Sequence, residues 1–178
     1  MKITSTPLEG MFIIEPRCFQ DERGFFLETY QEQRYHEAGI VEKFVQENHS
    51  RSGKNVLRGM HFTKNSPQAQ IVTVIHGRIF DVVVDIRKNS PTFGKWFGTE
   101  LNDQGPRQIY MAHGFAHCFC VLSDYADLHY KVSQRYEASD EGGLIWNDRD
   151  VNINWPIKDP VISARDQRHQ KLEKFNGN

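Results

Sequence analysis

Arg58, His61, Gln68, Gln70, His117 and Tyr130 are polar side chains set among apolar neighbours in stretches that read as β-strands. Together they offer imidazole, phenol, guanidinium and carboxamide groups, the equipment needed to bind and transform a small polar ligand. Inside a small β-barrel such groups cost free energy unless a ligand or a protein partner satisfies them. Each also has a structural reading: His61 and His117 as hydrogen-bonded core histidines, Tyr130 as a core aromatic with its hydroxyl tied off. Position adds a constraint. Arg58 and His61 are three residues apart, so an unbroken strand would send them to opposite faces. A bulge or bend at Gly59 is needed to turn both inward.

Other chemistries lack their residues. A histidine-held metal in a jelly roll would show His-x-His followed by an acid, but His61 is followed by Phe62-Thr63, and His113 and His117 flank Gly114. No metal site is therefore expected. There is no Gly-x-Ser-x-Gly elbow and no glycine loop of the phosphate-binding type. Cys18, Cys118 and Cys120 form neither a disulfide framework nor a zinc pattern; Cys118 and Cys120 alternate on one strand and read as buried free thiols on the same side.

Short strands must position these residues. Alternation and turn signals place them at 11–14, 25–30, 44–50, 56–62, 70–75, 78–86, 95–101, 108–112, 116–122 and 126–132, ahead of a polar C-terminal segment. One short helix is expected over 31–39, ending at Gly39. Residues 70–75 and 78–86, joined at His76-Gly77, read as a hairpin. In the second of these strands Ile79, Asp81, Val83 and Asp85 share one face, and Phe80, Val82, Val84 and Ile86 the other. Short strands at near-regular spacing with one early helix imply an all-β sandwich or jelly-roll barrel. With 178 residues and no linker or repeat, a single domain over 1–178 is expected. Lys+Arg 22 against Asp+Glu 23 gives a net charge of −1, which calls for neither nucleic acid nor an anionic membrane. No apolar run approaches a membrane span or a signal peptide, so a cytoplasmic protein is expected.

Several blocks, in order, resemble the dTDP-4-dehydrorhamnose 3,5-epimerase family from about Met11 to Asp166. They are Phe19-Gln20-Asp21-Glu22-Arg23-Gly24-Phe25-Phe26-Leu27-Glu28, Phe44-Val45-Gln46-Glu47-Asn48-His49-Ser50, Asn55-Val56-Leu57-Arg58-Gly59-Met60-His61-Phe62, Phe80-Asp81-Val82-Val83-Val84-Asp85-Ile86-Arg87, Gly114-Phe115-Ala116-His117 and Trp146-Asn147-Asp148. Each block alone is a weak match; their ordered co-occurrence is specific. The resemblance implies a cupin-type jelly-roll barrel without metal or organic cofactor. It also implies a homodimer that exchanges N-terminal strands, and inversion of the carbons flanking the C4 ketone of a nucleotide-diphosphate sugar. It assigns His61 as base, Asp166 as its carboxylate partner and Tyr130 as acid, with Arg58 and His117 holding the sugar or its enolate. Arg23, Phe26, Glu28, Gln46 and Asn48 would bind the nucleotide.

Two departures from the family pattern fall near the expected pocket. Gln68-Ala69-Gln70 stands where the family has Gln-x-Lys, a lysine thought to support the enolate oxygen, and His113 stands in the loop ahead of Gly114-Phe115-Ala116-His117. They leave open a dTDP-linked substrate inverted at C3 and C5, or a one-carbon epimerase acting on a CDP-linked 3,6-dideoxy sugar. The remaining readings are a ketoisomerase, a non-catalytic sugar-nucleotide-binding cupin, and a metal-dependent cupin enzyme.

Overall fold

A computed structural model describes residues 1–175. Thirteen strands and one α-helix follow in order: β1 (Lys2–Ser5), β2 (Met11–Glu15), β3 (Cys18–Asp21), β4 (Gly24–Leu27), α1 (Glu32–Glu37), β5 (Gln46–Gly53), β6 (Leu57–Thr63), β7 (Gln70–His76), β8 (Arg78–Asp85), β9 (Trp96–Asn102), β10 (Gln108–Met111), β11 (Phe115–Val121), β12 (Tyr125–Val132) and β13 (Glu141–Gly143). They form a six-stranded sheet, β1-β2-β10-β7-β12-β5, and a five-stranded sheet, β13-β6-β11-β8-β9, while β3 and β4 pair only with each other. Every pairing between strands is antiparallel, and the two sheets face one another as a jelly roll. Among the described residues no helix is long and apolar enough to cross a membrane.

The strand alternation sorts side chains into three apolar layers. Val72, Val74, Ile79, Val83, Phe119 and Leu128 fill the space between the sheets. Val82, Val84, Ala116 and Cys118 point outward from the five-stranded sheet and are covered by Leu144, Val151 and Leu172 of the C-terminal segment. β8 is therefore buried on both faces, which explains its almost unbroken apolar run. Ile14, Ile71 and Tyr110 on the outside of the other sheet are covered by Tyr35 and Ile40. Full burial of each such side chain contributes about 1.5–3 kcal/mol. α1 starts where the Gln31 side chain accepts from the Arg34 backbone N–H at 2.6 Å, and the chain leaves it at Gly39, φ +91. The Tyr35 hydroxyl anchors it by donating to Gln108 Oε1 at 2.6 Å.

One expectation is corrected. β7 and β8 are not a hairpin: β7 pairs with β10 and β12, whereas β8 pairs with β11 and β9. The His76-Gly77 turn instead carries the chain from one sheet to the other. A tight glycine turn between alternating strands looks the same in both cases; only the long-range partners distinguish them. β1 and β3 lie outside the expected strands, and β4 ends at Leu27 rather than running to Tyr30.

Candidate active site

The site begins with an irregularity in β6. Opposite β11, His61 pairs with His117 and Arg58 pairs with Phe119, so three steps on β6 meet two on β11. This is the bulge that the spacing of Arg58 and His61 requires. Gly59 makes it possible: its φ is +119, and a Cβ there would lie 2.4 Å from Cys118 Cβ and 2.6 Å from the His117 carbonyl oxygen. Met60 is thereby turned into the outer core, and Arg58 and His61 both line the cavity between the sheets.

That cavity has a volume of about 420 Å³. One wall, from the five-stranded sheet, carries Arg58, His61 and His117; the facing wall carries Gln46 and Asn48 from β5, Gln70 from β7 and Tyr130 from β12. His61 Nε2 lies 2.9 Å from Asp166 Oδ1. Asp166 opens a 3₁₀ turn, Asp166–Arg168, and is buried. Its Oδ2 accepts from the Gly59 backbone N–H at 3.3 Å, and its own N–H donates to Ser163 Oγ at 3.0 Å. Burial alone would raise the Asp166 carboxyl, but the hydrogen bond and charge of His61, with the Gly59 N–H, hold it well below the usual carboxylate range. An ionised Asp166 accepts from Nε2–H, which leaves the Nδ1 lone pair as the basic position of His61.

Across the cavity Tyr130 sits in an apolar row, paired with Asn48 on one side and Val72 on the other. Burial pushes its phenol up, partly offset by the Arg58 charge and reinforced by Glu141. It therefore stays protonated at neutral pH and can donate a proton. Arg58 is held by donating from Nε to Ser52 Oγ at 2.8 Å. His117 forms a second imidazole–carboxylate pair with Asp81, 2.8 Å from Nε2 to Oδ2, on a fully buried carboxylate.

Strand periodicity does not single out Glu141, Arg165, Tyr136 and His169, yet all four belong to the cluster around His61. Arg165 donates to Glu141 Oε2 at 2.7 Å and to Asp166 Oδ1 at 3.3 Å, and its Nη2 lies 3.2 Å from His61 Nε2. The Tyr136 hydroxyl donates to Glu141 Oε2 at 2.9 Å. His169 stands edge-on to His61, with ring centroids 5.5 Å apart, and burial, then the nearby His61, pushes its imidazole down. Arg165 is visible in the sequence only as the neighbour of Asp166; the others sit in segments without strand periodicity. His61, Asp166 and His169 do place ligand-type atoms within 4.8 Å of one another. The Arg165 guanidinium, however, already supplies the positive charge against both His61 and Asp166, so this donor set does not fit a cation well.

The remaining expected residues lie elsewhere. Arg23, Phe26 and Glu28 belong to the β3–β4 hairpin and its exit, outside the cavity walls of this chain. Arg23 pairs with Asp21 and Glu28 with Arg34. His113 is exposed in the β10–β11 turn and does not line the cavity, so its loop does not fold inward.

A jelly-roll barrel with a carboxylate-backed imidazole on one wall and a phenol on the other defines a cupin-type protein whose cavity holds groups that can move protons. The chain matches the dTDP-4-dehydrorhamnose 3,5-epimerase family over residues 5–174 and belongs to it. It is 45% identical to a dTDP-4-dehydrorhamnose 3,5-epimerase of Shigella flexneri, across 97% of this chain and 96% of that one. It is 41% identical to a dTDP-4-dehydrorhamnose 3-epimerase of Streptomyces niveus, covering 94% and 82%. The crystal structure of a dTDP-6-deoxy-D-glucose-3,5-epimerase from Legionella pneumophila, in complex with dTDP-4-keto-L-rhamnose, superposes with a TM-score of 0.95 at 42% identity, covering 98% and 94%. The protein is accordingly an epimerase with the expected jelly-roll fold.

Proposed function

We propose that the enzyme inverts carbon flanking the C4 ketone of a dTDP-linked 4-keto-6-deoxyhexose, at C3, C5 or both, with His61 as base and Tyr130 as acid. The observation that carries this reading is the placement of His61 and Tyr130 on opposite walls of one cavity. A hydrogen α to a ketone is acidic enough for an imidazole to remove when the developing enolate is stabilised. Inversion then needs a proton returned from the opposite face. Asp166 fixes the His61 tautomer and stabilises the imidazolium, the role a carboxylate plays behind histidine in hydrolytic triads. Arg58 flanks the base and its free guanidinium N–H groups can donate to the enolate oxygen, while His117, held by Asp81, lines the same wall beside the sugar. No metal or organic cofactor enters these steps.

The nucleotide would be held between Gln46 and Asn48 on the cavity wall and Arg23, Phe26 and Glu28 of a hairpin. An arginine suits a diphosphate because its planar fork donates two hydrogen bonds. Phe19, Phe25 and Phe26 of the hairpin are 50%, 62% and 70% exposed, a large apolar surface for one small ribbon. A homodimer that exchanges its N-terminal strands, each hairpin lying over the partner's cavity, would cover it.

The test is solvent deuterium incorporation into dTDP-4-keto-6-deoxyglucose, read separately at C3 and C5. Exchange with inversion at one or both carbons is expected; binding without exchange would show a non-catalytic sugar-nucleotide module. Turnover confined to a CDP-linked 3,6-dideoxy sugar would replace the proposed substrate.

A further inference from the structure

The cavity wall around Tyr130 contains two chains of carboxamides whose orientation is fixed by the backbone. Gln68 Nε2 donates to the Gln134 carbonyl oxygen at 3.1 Å, and Gln70 Nε2 donates to Gln68 Oε1 at 3.1 Å. A backbone carbonyl can only accept. The direction of the whole chain therefore follows from its first bond, and Gln70 must turn its NH₂ toward Gln68 and its Oε1 away. The second chain runs in the other sense. The Tyr136 backbone N–H donates to Gln46 Oε1 at 3.0 Å, and Gln46 Nε2 donates to Asn48 Oδ1 at 2.8 Å. Here the anchor can only donate, so Asn48 presents its NH₂. Among the described residues no protein group bonds Gln70 Oε1 or Asn48 Nδ2, and both side chains line the cavity.

Strand register locates them. Gln70 pairs with Val132, which in turn pairs with Gln46, and Tyr130 lies two residues from Val132 on the same face. The diagonal between such positions is about 7–8 Å. An α-carbon addressed by Tyr130 thus has its substituent within reach of the Gln70 acceptor. Of the two carbons flanking a C4 ketone in a 4-keto-6-deoxyhexose, only C3 carries a hydroxyl; C5 carries the ring oxygen and the methyl group.

We infer that Gln70, oriented by Gln68, is a specificity-determining residue that accepts a hydrogen bond from the C3 hydroxyl of the sugar and so selects hydroxylated over 3-deoxy substrates. The inference rests on the proposed epimerase reading and adds to it the substituent the pocket recognises. Gln70 touches the substrate; Gln68 is a positioning residue. A substrate lacking the hydroxyl leaves the Gln70 oxygen without its donor.

The experiment measures kcat and KM for dTDP-4-keto-6-deoxyglucose and dTDP-4-keto-3,6-dideoxyglucose, with wild type, Gln70→Leu, Gln68→Leu and Gln68→Glu, following deuterium exchange on both sugars. Wild type should prefer the hydroxylated sugar by about tenfold in kcat/KM, the size of one neutral hydrogen bond, mainly through KM. Gln70→Leu should collapse the preference toward one. Gln68→Leu should weaken it because the Gln70 amide is no longer held. Gln68→Glu, which still offers Gln70 an acceptor, should restore it. A wild-type ratio near one, or the same ratio in wild type and Gln70→Leu, overturns the inference while exchange continues. Absence of exchange on both sugars in wild type overturns the epimerase reading beneath it. Circular dichroism of each variant separates a lost preference from a lost fold.

Discussion

At the residue scale, the two walls of the cavity should fail differently. Removing the proposed base in His61→Ala should abolish exchange at the α-carbons, a loss on the order of 10²–10⁴-fold for a positioned general base. Tyr130→Phe should keep measurable proton removal but suppress inversion, because His61 can return the proton only to the face it left. Deuterium NMR separates exchange from inversion, and full inversion in both variants would remove these residues from the mechanism. A second expectation concerns metal. Since Arg165 supplies the cation against His61 and Asp166, activity should survive exhaustive chelation, and a stoichiometric transition metal whose removal stops turnover would contradict this. What was legible at this scale was the set of inward polar strand residues, because each breaks an apolar alternation. Glu141, Tyr136 and Arg165 break no pattern, since Glu141 opens the three-residue, glycine-rich β13 and the other two lie in irregular segments, and only the fold brings them to His61.

The bulge at Gly59 is the element on which the site depends. Its φ is +119, and any Cβ at this position would meet Cys118 and His117 atoms well inside van der Waals contact. Gly59→Ala must therefore either distort β6 or push β11 away. The expected cost is roughly 3 kcal/mol or more, from backbone strain together with overpacking. Activity should fall further than stability, because Arg58 and His61 lose their common face. Chemical denaturation and kcat measured on the folded fraction would test both parts. The need for this bulge could be read from the three-residue spacing of Arg58 and His61. The crossing at Gly77 could not, since nothing local tells a hairpin from a step between sheets.

A second element-scale prediction concerns the turn after β8. Asp85 is fully buried and accepts from the Arg87 side chain at 2.7 and 2.9 Å, from Ser90 at 2.6 Å and from Thr92 at 2.6 Å. Burial opposes its ionisation, but the Arg87, Ser90 and Thr92 hydrogen bonds together outweigh it and lower the carboxyl to about 2. A depressed folded-state value means the contribution is fully present above the unfolded value, roughly 3.9. It is lost as pH falls from there through about 2. Thermal melts should thus show an acid-side loss of stability in that window. Asp85→Asn should be destabilised near neutral pH and show a flatter profile. An unchanged profile would mean the Asp85 network does not set the acid limit.

The whole molecule raises the question of whose hairpin serves whose cavity. In the single chain Arg23, Phe26 and Glu28 stand apart from His61, although all are expected at one site, and the hairpin's phenylalanines face outward. A sequence carries no label for which copy a residue serves, so this arrangement was not legible from spacing. The proposed exchange of N-terminal strands makes a quantitative prediction. His61→Ala has an intact hairpin but a dead cavity; an Arg23→Ala, Phe26→Ala double variant has an intact cavity but a defective hairpin. Each homodimer should be nearly inactive at low substrate. Unfolded together and refolded as an equal mixture, they should form about half heterodimers, each with one site built from the good cavity of one chain and the good hairpin of the other. Activity should then recover to about a quarter of wild type, against almost none for either variant alone. If each hairpin served its own cavity, every site in the heterodimer would carry one defect and mixing would restore nothing. Light scattering on the mixture fixes the dimer fraction, so a failure to recover activity from a sample shown to be dimeric would rule out the exchange.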